Sequence, residues 1–182
     1  MSLAISTGRM TIMPPLAKGR AGVSFAFLLA LPAAAVGASD CRQASAVYAD
    51  RDGAYELRFT PIDSEAAAAS NRFTLKVLKT SIELDGYVMP SDDPERAVGI
   101  LMFKCPGGDV TGADLDACTI WQGTVYGANA KGEIDNLQPE AAAAADRFLP
   151  GLGPSIRQSQ IWGNDKASVA PWDVLAFKEC AK

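Results

Sequence analysis

Carboxylates are the side chains in this sequence that could carry catalytic chemistry, because the chain contains no histidine. Histidine is the commonest general base and a member of the Ser-His-Asp and Cys-His systems. Glu83 and Asp85 lie two residues apart on a predicted strand, so they would point to the same face. Their separation would approach the roughly 5 to 9.5 Å between the two acids of a glycoside hydrolase. Alternating acids are also ordinary on the solvent side of a strand, and we favour that interpretation.

Three further acids, Asp109, Asp114 and Asp116, lie in a segment rich in Gly and Asp and could supply oxygen ligands to calcium. Their spacing departs from the EF-hand pattern and lacks its terminal bidentate Glu, so a solvated acidic loop is favoured. The sequence also lacks a nucleophile elbow, an S-x-x-K motif, a phosphate-binding P-loop and a dinucleotide-binding glycine turn. We therefore predict no catalytic residue, no metal and no cofactor.

Three tryptophans, Trp121, Trp162 and Trp172, could form an aromatic platform for a sugar or a protein partner. Tryptophans on strands more often fill a core. Trp162 is followed directly by Gly163, Asn164 and Asp165, which places it at the mouth of a loop. The sequence therefore gives Trp162, Asn164 and Asp165 as a candidate binding surface.

The first 38 residues have the pattern of a cleavable secretory signal. Arg9, Lys18 and Arg20 precede an apolar run over 21–36, and small residues at 36–38 offer a cleavage site. A membrane anchor is the less favoured alternative, because a spanning helix needs about 20 apolar residues and this run is shorter and contains Pro32. We predict a mature domain over 39–182 that is periplasmic or secreted and is not inserted in a membrane.

The predicted mature chain is acidic. Three of the 17 Lys and Arg residues and none of the 21 Asp and Glu residues precede position 39, which leaves a net charge of −7. Nucleic acid and anionic membrane surfaces both require a basic face, so neither is an expected partner. The length is typical of one compact domain.

Four cysteines follow the predicted signal, at Cys41, Cys105, Cys118 and Cys180, and an even count in an oxidising compartment favours two disulfides. A zinc site is disfavoured, because zinc ligands usually come in pairs two to four residues apart and often include histidine. Three connectivities are possible. We favour Cys41–Cys105 with Cys118–Cys180, and the alternative that staples the short segment is Cys105–Cys118 with Cys41–Cys180.

An internal similarity supports that preference. The sequence EAAAASNRF at 65–73 recurs as EAAAAADRF at 140–148, an offset of 75 that also separates Cys105 from Cys180. We predict a tandem duplication of two units, 41–105 and 118–180, joined by a linker at 106–117. A chance match between alanine-rich stretches is the alternative.

Each unit is predicted to follow a β-β-α-β-β order. Tyr55, Leu57 and Phe59 alternate with polar residues, which predicts a strand, and the turn at 50–53 would lead back to a strand at 46–48. Ser64 could cap a helix that starts at Glu65 and extends to Val77, and its second copy would cover 140–148. Further strands are predicted over 82–89 and 98–104, and over 156–162 and 172–178. The predicted class is α+β and β-rich, with antiparallel sheets and short covering helices.

These features favour an exported, non-enzymatic binding protein whose partner is a protein or an envelope component. Its small, acidic and disulfide-held profile matches inhibitor and immunity-type proteins at the level of class only. One alternative is a histidine-free hydrolase that uses carboxylates on envelope glycans. Another is a structural envelope protein without a ligand site.

Overall fold

The computed structural model describes residues 37–62, 68–109 and 111–181. The predicted signal lies outside these ranges except for Gly37 and Ala38, and so do Ser64 and Glu65, where the first helix was expected to begin. Across the described ranges, no helix is long and apolar enough to cross a membrane.

The described residues form one antiparallel sheet of ten strands and two short α-helices. The helices are α1 (Gly112–Cys118) and α2 (Leu152–Gln158). The strands are β1 (Ala46–Asp50), β2 (Tyr55–Thr60), β3 (Asn71–Val77), β4 (Glu83–Ser91), β5 (Arg96–Met102), β6 (Thr119–Thr124), β7 (Tyr126–Ala128), β8 (Ile134–Asn136), β9 (Asp146–Phe148) and β10 (Val174–Cys180). Their order across the sheet is β6-β5-β4-β3-β2-β1-β10-β9-β7-β8. The β-rich class predicted from the sequence is confirmed.

The sheet curls because one short segment, residues 119–128, pairs with strands near both ends of the sheet. Only Val125 separates β6 from β7, yet β6 pairs with β5 whereas β7 pairs with β9. The Val125 amide itself donates to the Ala97 carbonyl at 2.8 Å, which continues the β5 pairing past the end of β6. Residues 119–128 therefore connect the two ends of the sheet.

Alternating apolar residues of the curled sheet fill a single core. Tyr55, Leu57 and Phe59 of β2 lie opposite Val77, Leu75 and Phe73 of β3, and all six are buried. Phe73 in turn faces Gly86 of β4, where a Cβ atom would collide with the phenyl ring. Glycine at this register position therefore gives an aromatic ring the space next to the backbone.

The first hairpin forms as the sequence predicts. The Asp50 carboxylate, at the end of β1, accepts hydrogen bonds from the amides of Ala54 and Tyr55, both at 2.8 Å. Gly53 in the turn has a φ of +63°, which glycine adopts at little cost. These bonds set the register of β1 against β2, with Tyr48 opposite Leu57.

The predicted helix that ends at Val77 is wrong over 71–77, where β3 lies. Ala69, Phe73 and Val77 are four residues apart, a spacing that places side chains on one face of either a helix or a strand. Leu75, between the last two, is also buried, whereas Arg72 is exposed. The alternation has a period of two, which is typical of a strand.

The second half also differs from the predicted order. Residues 146–148 form β9 and not the end of a helix, and α2 occupies the start of the strand predicted over 156–162. Pro154 lies in the first turn of α2, a position at which its missing amide hydrogen costs nothing. The predicted linker contains all of α1 except Cys118, and the N-terminus of this helix is closed by reciprocal hydrogen bonds between Thr111 and Asp114. The tandem duplication stays a prediction.

The preferred disulfide connectivity is wrong. The bonds join Cys41 to Cys180 and Cys105 to Cys118, with Cα–Cα distances of 5.7 and 5.2 Å. β1 pairs with β10, and its first residue, Ala46, lies opposite Cys180, which brings the two ends of the domain together. Cys105 and Cys118 flank the connection between the paired strands β5 and β6. Strand pairing, and not a boundary between two units, therefore determines which cysteines meet.

A partly shielded ionic cluster lies on the face of the sheet opposite the core. Glu56 of β2 is 9% exposed and accepts hydrogen bonds from Lys178 Nζ at 2.7 Å and Arg58 Nη2 at 3.1 Å. The hydrogen bond from Lys178, with a smaller effect of Arg58, holds the pKa of Glu56 below its ordinary value. The cluster connects β2 to β10 across β1.

Peptide mapping without reduction should recover a Cys105–Cys118 peptide and a Cys41–Cys180 peptide. The Cys105–Cys118 bond joins residues 13 positions apart and the Cys41–Cys180 bond joins residues 139 positions apart. On the chain-entropy model, they contribute about 3 and about 5 kcal/mol to the free energy of unfolding. Replacing Cys41 and Cys180 together by Ala should therefore lower the denaturant midpoint more than replacing Cys105 and Cys118. A recovered Cys41–Cys105 peptide would contradict the structure.

Glu56→Gln should lower the free energy of unfolding at pH 7 by about 1 kcal/mol, because two cations lose their carboxylate partner. The folded-state pKa of Glu56 lies below the unfolded value of about 4.3, so the contribution is complete above that pH and is lost as the pH falls through the folded pKa. Urea midpoints of the two proteins should therefore differ at pH 7, and the difference should shrink as the pH falls below the unfolded-state pKa and through the folded-state pKa of Glu56. Glu83→Gln, at an exposed ion pair with Lys76, is the matched control and should change little at any of these pH values. An equal loss at all of them would refute the ionic origin of the effect.

Candidate functional site

A groove of about 600 Å³ lies beside the β7–β8 hairpin. One wall is the hairpin, and the other is a run of five alanines at 141–145. Gly127 of β7 and Arg147 of β9 line its base, and Gly37 and Ala38 lie at its margin. We call this feature the alanine groove.

The backbone of the alanine run is held by strand-like contacts and not by a helix. The Gln43 amide donates to the Ala141 carbonyl at 2.9 Å, and the Ala143 amide donates to the Cys41 carbonyl at 2.7 Å. Further along, the Phe177 amide donates to the Ala145 carbonyl at 2.8 Å. The helix predicted over 140–148 is therefore wrong, because tertiary hydrogen bonds to segments near both ends of the domain override the helix propensity of alanine. The methyl groups of the alanine run line the groove.

The hairpin that forms the opposite wall is fixed by Asn129. Its side-chain oxygen accepts hydrogen bonds from the amides of Lys131 at 2.8 Å and Glu133 at 3.1 Å, and its amide nitrogen donates to Glu133 at 2.6 Å. Gly132 completes the turn with a φ of +81°. Ile134, just beyond the turn, is 60% exposed and lines the groove. The wall thus combines a fixed turn with an exposed apolar side chain.

A buried arginine lies at the base of the groove. Arg147 is 3% exposed and lies in register with Gly127 on one side and Leu175 on the other. Its Nη2 donates to Gln43 Oε1, which also accepts the Tyr48 hydroxyl at 2.9 Å. Arg147 Nε and Gln43 Nε2 have no hydrogen-bond partner within the described ranges.

The direct partners of this guanidinium, Gln43 and Tyr48, are neutral. In the described part of the chain, no carboxylate lies within 4.0 Å of Arg147, and the Tyr48 ring centroid is 5.8 Å from its Cζ. Burial raises the pKa of Tyr48, so its hydroxyl stays protonated at neutral pH. Burial also lowers the pKa of Arg147, an effect that Tyr48 and, more weakly, Asp135 on the groove wall partly oppose. An arginine nevertheless stays charged in proteins, so the base of the groove is cationic.

The candidate surface from the sequence lies elsewhere, in the turn that follows α2. Trp162 is half-buried, with the Arg157 guanidinium 5.4 Å from its ring, and Asn164 and Asp165 are exposed. Asp165 lines a separate cavity of about 570 Å³ together with Lys79. The proposed binding role of Trp162, Asn164 and Asp165 stays a prediction.

Trp172 is the most exposed tryptophan, at 46%, whereas Trp121 is buried and donates its indole hydrogen to the Pro150 carbonyl at 2.9 Å. Arg51 stacks on Trp172 with its Cζ 3.6 Å from the ring centroid, and the indole donates to Asp52 at 2.8 Å. We call Arg51, Asp52 and Trp172 the Trp172 surface. The loop position of Trp162 therefore did not predict which tryptophan is the most exposed, since Trp172 is more exposed than Trp162.

The acidic residues considered for catalysis have structural partners. Glu83 and Asp85 lie on the outer face of β4 and form ion pairs with two basic residues of β3. Glu83 pairs with Lys76, which lies opposite it in the register, at 3.4 Å, and Asp85 pairs diagonally with Arg72 at 3.5 Å. Asp114 caps α1. Within 37–62, 68–109 and 111–181, no three His, Cys, Asp or Glu side chains are placed to hold a metal ion.

No protein-family model, curated protein or solved structure matches this chain. Its class therefore follows from its own geometry, as a disulfide-bonded, β-rich protein with a methyl-lined groove over a buried guanidinium. Sequence reasoning missed Arg147 and Gln43, because the contacts that bury them join residues about a hundred positions apart. The alanine run at 141–145 was the one sequence feature that coincided with the groove, although the helix predicted from it was wrong.

Proposed function

We propose that this chain is an exported binding protein and that the alanine groove is its ligand site. The observation that carries the proposal is the groove itself, because about 600 Å³ is within the usual range for sites that take small organic ligands. Such sites are mostly apolar and contain a few placed polar groups. The alanine methyls and Arg147 supply this combination.

Rigid walls support the proposal. One wall is fixed by the Asn129 turn, and the other is tied to the Cys41–Cys180 end of the domain through the Ala143 amide. A preformed groove binds more tightly than a flexible one, because less conformational freedom is lost when the ligand enters. The short side chains of the alanine run also lose almost no rotamer freedom on binding.

The covalent framework supports export. Both disulfides suggest an oxidising compartment, where such bonds persist. Together with the predicted signal, this supports a periplasmic or secreted location for the working protein. Gly37 and Ala38 border the groove and are the last residues before the predicted cleavage point, so processing would widen the groove at that end.

A protein partner is a second candidate, favoured by the Trp172 surface. A partly exposed tryptophan stacked with arginine has the composition of interface hot spots. Val169 and Val174 are 46% and 39% exposed and add apolar area nearby in sequence. The paired positions of Glu83 and Asp85 give no comparable support to the glycan hydrolase alternative.

Hexanamide, a neutral molecule with a short apolar body, is a suitable probe of the groove. Titrated to millimolar concentration into the exported protein purified after expression of the full chain, it should shift the methyl NMR signals of residues 141–145. Ala144→Leu should abolish these shifts, because the added side chain fills the base of the groove next to Gly127. Ala176→Leu, exposed on β10, is the matched control and should leave them unchanged.

Shifts that survive in Ala144→Leu, or that appear only around Trp172, would refute the groove as the ligand site. Shifts around Trp172 that vanish in Trp172→Ala would favour the second candidate. If neither hexanamide nor its carboxylate analogue hexanoate shifts the methyl signals of residues 141–145, the groove is not the ligand site.

A further inference from the structure

We propose that the alanine groove selects ligands with a carboxylate group, and that Arg147 binds this group. The inference rests on the proposed function, because it assigns a ligand class to the same groove. The ligand would be an organic acid with an apolar body, supplied either as a free alkanoic acid or as the C-terminal end of a peptide. Both sources present the same carboxylate.

The first step concerns charge. A buried cation is costly unless it is paired, and the direct partners of Arg147 within the described residues are the Gln43 amide oxygen and the Tyr48 ring and hydroxyl, which are neutral. Asp135, which lies across Gly127 in the strand register, acts on the guanidinium only from beyond 4.0 Å. A guanidinium with neutral partners at the base of a groove attracts an anion strongly, since the apolar walls reduce screening. The ligand would thus supply the direct ion pair that Arg147 lacks within the described residues.

The second step concerns space. Arg147 Nη1 lies so close to Gly127 that a Cβ atom there would collide with it, and the same Cβ would come within 2.8 Å of the Ala144 methyl. Gly127, Ala144 and Arg147 all line the groove. Glycine at 127 and alanine at 144 therefore allow the guanidinium, which is 3% exposed, to reach the lining of the groove.

The third step concerns the shape of the anion. The planar guanidinium matches the two oxygens of a carboxylate through parallel hydrogen bonds. A phosphate could use the same donors, but the neighbouring walls are alanine methyls and Ile134, which favour an apolar body. Asp135 and Glu133 on the hairpin also disfavour a ligand with more than one negative charge. A monocarboxylate satisfies all three conditions.

The test compares hexanoate with hexanamide, which differ only in the charged group. In isothermal titration of the full chain, exported and purified, hexanoate should bind at least about tenfold more tightly, because a charge-assisted pair replaces a neutral contact. The Arg147 Nε–Hε NMR signal should move with hexanoate. Acetyl-Ala-Ala-Leu with a free C-terminus, compared with its C-terminal amide, tests the peptide source.

Two substitutions test whether the preference for hexanoate depends on the charge of Arg147 and on the position of its guanidinium. Arg147→Met has a similar length and no charge, so it should bind hexanoate and hexanamide equally. Gly127→Ala keeps the charge but displaces the guanidinium, and it should lose the same preference. Arg72→Gln, at an exposed pair on the outer face, is the matched control and should preserve it.

The outcomes distinguish the two proposals. If hexanoate and hexanamide bind the unsubstituted protein equally in the groove, the carboxylate assignment fails and the binding function stands. If neither binds, both proposals fail. Because this comparison uses the unsubstituted protein, it decides the question even if Arg147→Met does not fold. A preference for the free peptide over hexanoate would identify the C-terminal source, and the reverse would identify the alkanoic acid.

Discussion

The pairing of residues 119–128 with both ends of the sheet is the constraint on which the rest of the structure depends. Its first half extends the sheet from β5, and its second half pairs with β9 after a single intervening residue. This arrangement encloses the aromatic core. It also places Gly127 beside Arg147, so the base of the groove is a direct consequence of the way the sheet curls.

Stability and binding are therefore connected through one buried side chain. Arg147 joins β9 to Gln43 and to Tyr48 of β1, which holds the N-terminal segment of the domain against the sheet. An apolar residue could fill this volume at lower desolvation cost, since replacing buried charges by hydrophobic residues is often neutral or stabilising. Arg147 makes no ion pair within 4.0 Å in the described part of the chain and lines the groove, which is the basis of the proposed ligand role.

The sequence predicts local features of the fold well and long-range ones poorly. Alternation identifies β2, and Asp50 with Gly53 identifies its hairpin turn. The sequence does not predict the strand at 71–77, because apolar residues four positions apart fit both the period of a helix and the period of a strand. The alanine run was assigned by propensity, whereas its backbone is committed to hydrogen bonds with distant segments. The site could not be found at all, since the burial of Arg147 depends on pairings that no local pattern encodes.

The most direct measurement is a set of cross-strand nuclear Overhauser effects in the oxidised protein. The account predicts contacts from residues 121–124 to 98–101 and, in the same molecule, from 126–128 to 146–148, with the Arg147 side chain close to Gly127 and Tyr48. If the second set is absent while the first is present, the segment does not join the two ends of the sheet. The buried guanidinium and the groove above it would then have no structural basis.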